Sequence, residues 1–146
     1  MVRLLLAKEG VDVNQANKYG VTPLYIASQK GHTKVVSLLL AKEGVDVNQA
    51  DKDGWAPLLV ASQKGHTKVV SLLLAKEGVD VNQANKNGRT PLNIASHNGH
   101  TKLASLLLAK EGLDVNPANK NGDTPLLFAS QNGHTEVVSL LLAKEG

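Results

Sequence analysis

The chain has no cysteine, which excludes a disulfide framework and any thiolate metal site. Aromatic side chains are scarce, with one Trp, one Phe and two Tyr among 146 residues. A stacking platform for single-stranded nucleic acid needs more of them. A dominant charge is missing as well: 16 Lys and Arg stand against 13 Asp and Glu. The two signs alternate along the chain, so there is no basic block of the kind that binds nucleic acid or a membrane surface. No stretch approaches the roughly 18 consecutive apolar residues of a membrane span. The opening run, MVRLLLAKEG, is too short for a signal-peptide core. These absences fit a protein of the reducing cytoplasm that acts without membrane or nucleic acid.

What the chain does have is one stretch copied again and again. SLLLAKEGVDVNQA occupies 37–50 and returns unchanged at 71–84. It returns as SLLLAKEGLDVNPA at 105–118, the chain starts inside a copy (3–16), and it stops inside another (139–146). Gly20, Gly54, Gly88 and Gly122 keep the same constant spacing. A period of this size marks a stacked array, whose units bury their apolar faces against one another. The reading is a single array over 1–146. It has a partial unit at 1–16, full units at 17–50, 51–84 and 85–118, and a last unit at 119–146 lacking its final turn.

Each unit carries its own punctuation. In the first, Asn17-Lys18-Tyr19-Gly20 reads as a turn. Thr22-Pro23 reads as a helix start, with the hydroxyl accepting from an orphan amide and proline in the first helical position. Gly31 ends that helix. Thr33 is expected to cap a second helix running to about Lys42, whose residues Val35, Val36, Leu38, Leu39 and Leu40 form a broad apolar face. Helices are therefore expected near 23–29 and 33–42 and at the equivalent positions of every later unit.

Thr-Pro-Leu, then Ala-Ser, Gly-His, Leu-Leu-Leu and Asp-Val-Asn, resembles the ankyrin repeat, whose signature is Thr-Pro-Leu-His-x-Ala. The resemblance covers the whole chain and implies an all-α solenoid of helix-turn-helix units joined by β-hairpin-like turns. Three departures stand out. The period is one residue longer than the family's, and the extra residue falls in Ala41-Lys42-Glu43-Gly44, implying a longer second helix or C-cap. The family histidine is replaced by Tyr25, Leu59, Asn93 and Leu127. Ala56 stands where the other units have a capping threonine.

Little here suggests chemistry. His32, His66, His100 and His134 recur at one place, and successive copies about 8–10 Å apart cannot share an ion that needs nitrogens about 2 Å away. They read as histidines bonding backbone near the Gly turn. No nucleophile–base set and no phosphate loop appears, so neither an enzyme nor a cofactor is expected. The turn lysines Lys18, Lys52, Lys86 and Lys120 read as a solvated edge whose members lie about a Debye length apart.

Function is legible in the differences between units. Residues 27–50 and 61–84 are identical, yet the ten residues before each differ at six positions. In the resembled family, turn tips and the exposed side of the first helix form a concave surface that holds protein partners. The variable positions match it: Tyr19, Val21, Tyr25, Asp53, Trp55, Leu59, Asn87, Arg89, Asn93, His97 and Asp123. Ile26, Val60, Ile94 and Phe128 vary only among apolar types and are expected in the core. Two functions follow. One is a non-enzymatic scaffold binding another protein through this surface. The other is an architectural or engineered array with no natural partner, self-associating head to tail through uncapped ends. Those ends carry Val2, Leu4, Leu5 and Leu6 at the front and Leu126, Leu127, Phe128, Val137, Val138, Leu141 and Leu142 at the back.

Overall fold

A computed structural model describes residues 10–144. The expected front-end apolar set, Val2 and Leu4 to Leu6, lies outside the described residues. Eight helices are present among them: α1 (Pro23–Lys30), α2 (Thr33–Leu40), α3 (Pro57–Lys64), α4 (Thr67–Ala75), α5 (Pro91–Asn98), α6 (Thr101–Leu108), α7 (Pro125–Gln131) and α8 (Thr135–Lys144). The described residues contain no strand and no helix long and apolar enough to cross a membrane. Each pair forms one helix-turn-helix unit, and each unit packs on the next through like helices: α1 on α3, α3 on α5 and α5 on α7, with the second helices stacked likewise. First helices pack more closely on one another than second helices do.

The helix starts follow the sequence. Every first helix begins at its proline, and Thr22, Thr90 and Thr124 accept from the amides of Tyr25, Asn93 and Leu127 at 3.1, 3.3 and 3.2 Å. Ala56 offers no such acceptor. The second helices depart from expectation at their starts. Thr33 does not cap α2 but is its first residue: His32 is the N-cap, with no side-chain bond, and its carbonyl accepts from Val36 at 2.9 Å. The extra residue of the period, expected in the second helix or its C-cap, falls after α2. The helix ends at Leu40, and Val45 N–H closes a turn onto Lys42 O at 3.3 Å, so the insertion is taken up outside the helix.

One apolar core runs from Val13 to Leu141. Leu24, Leu58, Leu92, Val70, Leu73 and Leu107 are among its most deeply buried members. The copied Asp-Val-Asn segment ties units together. Its valine is buried at 13, 47 and 81, and its asparagine bridges to the next copy. The Asn48 amide donates to Gly78 O and accepts from Asp80 N–H, both at 2.8 Å, and Asn14 and Asn82 do the same one unit away on either side. A long-range polar contact is thus repeated from one copy to the next.

Candidate functional site

The turn tips are built alike. In the first unit Gly20 N–H returns to Asn17 O and Asn17 N–H reaches Val21 O, both at 3.0 Å. The Asn17 side chain accepts from the Tyr19 and Val21 amides at 2.9 and 3.1 Å. Neighbouring tips are joined through backbone: Lys52 N–H to Tyr19 O at 3.2 Å, Lys86 N–H to Asp53 O at 3.1 Å and Lys120 N–H to Asn87 O at 3.1 Å. The turn tips therefore form one continuous, cross-linked edge.

Eight of the eleven expected contact residues reach solvent, seven on this edge and His97 near the end of α5. Tyr19 is 60% exposed. Asp53, Asn87 and His97 are exposed, and Val21, Trp55, Arg89 and Asp123 are half-buried. The other three do not reach the surface. Tyr25 and Leu59 are buried hydrophobic positions, and Asn93 is 0% exposed. The reason is geometric: this position points at the following unit and fills the seam between first helices. Leu127, at the same position in the last described unit, is 47% exposed. The next position points the other way. Val60, Ile94 and Phe128 are buried against the preceding unit, as expected, whereas Ile26 is 41% exposed, with no described first helix before it.

The seams differ in chemistry. Between the first two units the Tyr25 hydroxyl donates to Asp51 Oδ2 at 2.8 Å, while Asp51 Oδ1 accepts from the Asp53 and Trp55 amides at 2.9 and 3.0 Å. Burial, then the bond to Asp51 and its charge, push the Tyr25 phenol well above its ordinary range. This bond occupies the place of the missing family histidine. The only aspartate at the start of a unit faces the only tyrosine of the seam, a pairing visible in the sequence once the facing positions are known. Between the second and third units Leu59 makes an apolar seam.

The seam between the third and fourth units is polar and aromatic. The Arg89 guanidinium lies 5.0 Å over the Phe128 ring, and His97 meets that ring edge-on at 5.4 Å. Burial lowers the Arg89 pKa, opposed by the charge of Asp123. Arg89 Nε and both amide atoms of Asn93 are sheltered without hydrogen-bond partners. Phe128 belongs to this cluster although its variation among apolar residues gave no sign of it.

The recurrent histidines bond across units rather than within their own turn. Nε2 of His66, His100 and His134 meets Gln29 O, Gln63 O and His97 O at 2.9, 3.3 and 3.0 Å. A carbonyl only accepts, so Nε2 carries the proton. Each ring lies against the glycine that ends the preceding first helix. Among the described residues no group of three His, Asp or Glu is placed to hold a metal ion.

Stacked two-helix units joined through a cross-linked row of turns define a helical repeat solenoid. The particular family follows from its signature residues: the family model described as ankyrin repeats (3 copies) matches residues 1–85 and 75–146, and the chain belongs to that family. Among curated proteins none matches it. Ankyrin repeats are generally protein–protein interaction modules and generally not enzymes.

Proposed function

We propose that this chain is a non-enzymatic scaffold that holds a protein partner along its turn tips and first helices. The observation that carries this reading is the placement of the variation. Units that are identical over 27–50 and 61–84 differ at six of the ten preceding positions. Of these, Thr22 and Ala56, and Tyr25 and Leu59, are buried, but 17 and 51, 19 and 53, and 21 and 55 reach solvent. These solvent-reaching positions and their equivalents include Tyr19, Trp55 and Arg89, residue types that dominate binding hot spots. Val21, Asp53, Asn87, His97 and Asp123 complete the contact set, while Tyr25, Leu59 and Asn93 set the spacing of the units beneath it. The half nearer the front is apolar and aromatic; the half nearer the back is polar. Capture from lysate tests the reading. The intact chain retains a partner that a Trp55→Ala, Arg89→Ala double variant loses and a Ser71→Ala variant on the second-helix side keeps. Equal retention by all three would refute it.

A second reading, association of copies end to end, is favoured by Leu127 and Leu142, which are 47% and 53% exposed. Such contact is head to tail and builds open assemblies rather than closed dimers. Sedimentation of the intact chain decides it: mass should rise with concentration and fall back in Leu142→Lys, whereas an unchanging monomer would refute it.

A further inference from the structure

Charge is segregated between the two sides of the array. The turn and first-helix segments, 17–32, 51–66, 85–100 and 119–134, hold seven of the 16 basic residues but only three of the 13 acidic ones. The other described residues include seven basic and eight acidic ones. The excess positive charge therefore belongs to the side assigned to partner binding.

Its most regular part is the row Lys18, Lys52, Lys86 and Lys120. All four are exposed at the turn tips. The Lys18 ammonium lies 5.1 Å over the Tyr19 ring; the other three form no ion pair or side-chain hydrogen bond among the described residues. Of the three acids on this side, Asp51 is committed to two amides and the Tyr25 hydroxyl. The tips that carry the row are bonded through backbone, each to the next. Its step is one unit of the stack, about 8–10 Å. A polyproline II helix rises about 3.1 Å per residue and brings every third side chain to one face. Three residues of such a segment span one step of the lysine row. Beside it, Arg89 holds its planar fork over Phe128, suited to a carboxylate.

We propose that the turn edge binds an extended acidic segment of a protein, with carboxylates at every third residue in register with Lys18, Lys52, Lys86 and Lys120, and that Arg89 takes a further carboxylate. This rests on the protein-binding reading above and specifies the chemistry of its partner. A nucleic acid fits less well. Duplex DNA carries one charge per about 1.7 Å of its axis. That is far denser than this row, and Asp53 and Asp123 sit among the cations.

The test uses the intact chain and synthetic peptides of one composition with four glutamates, placed either at every third residue or consecutively. Trp55, the only tryptophan, reports binding by its fluorescence at low ionic strength. Because four weak contacts on one strand act together, the spaced peptide should bind about tenfold tighter than the clustered one. Added salt should weaken it, and a Lys52→Gln, Lys86→Gln variant with unchanged circular dichroism should lose the preference. Equal affinity for the two peptides, no binding of either, or equal competition by an oligonucleotide of matching charge would overturn the proposal. If the peptides fail while a captured partner still depends on Trp55 and Arg89, the acidic register falls and the scaffold reading stands; if both fail, both readings fall.

Discussion

Tyr25 and Asp51 show how much one exchange at a seam can carry. The hydroxyl of a buried tyrosine reaches a carboxylate at 2.8 Å, and removing it in Tyr25→Phe strands one carboxylate oxygen. The expected loss is about 1.5–3 kcal/mol, read from the urea midpoint at neutral pH. The sign of the pH dependence follows from the raised phenol pKa. The folded protein favours the protonated phenol, so its contribution is complete below the unfolded value near 10 and is lost as pH rises beyond it. Intact protein should therefore lose stability faster than Tyr25→Phe above about pH 10, and parallel profiles would count against the bond. Asn93 is the counterpart whose side chain lacks a partner: its side-chain amide is buried and unpaired.

Element boundaries give the next test. Ala56 occupies the buried N-cap of α3, where Thr22 and Thr90 are also buried, so the site accepts a threonine. Ala56→Thr should supply an acceptor for the Leu59 amide and stabilise the protein by about 0.5–2 kcal/mol, seen as a rise in the melting temperature. The glycines that end first helices divide into two kinds. Gly31 has φ +75° and a Cβ there would lie 2.8 Å from His66 Cε1; Gly133 has φ +70° and nothing within 4 Å. Gly31→Ala should therefore cost more than Gly133→Ala, since it bears the conformational penalty and also displaces the ring that bonds Gln29 O. Equal midpoints for the two variants would show that the ring moves freely.

Across the whole molecule, stability should follow position in the stack, because each unit contacts only its neighbours. α4 buries Val69, Val70, Leu73 and Leu74, whereas α8 buries only Val137 and Leu141. Amides of α3 to α6 should exchange most slowly with solvent and those of α8 faster. Uniform protection from α1 to α8 would mean that the array opens as one unit.

Much of this was legible in the residues themselves. The period, the proline at the start of each first helix and the glycine after it are local signals, and local backbone chemistry is enough to place those helices. Thr33 misled because a threonine before an apolar run is also compatible with the first helical position, and the structure puts His32 at the cap. The turn of Lys42 to Val45 absorbed an insertion that period alone could not assign to helix or loop. Tyr25, Leu59 and Asn93 looked like surface because they vary. Their burial depends on which way a helix face points within the stack, and only the neighbouring unit decides that. The same holds for Phe128 under Arg89 and for the histidines that reach the preceding unit. Short-range order in this protein is set by its own sequence within each copy of the repeat. What lies in a seam and what faces solvent is decided by tertiary packing, because identical copies acquire different surroundings only through their place in the array.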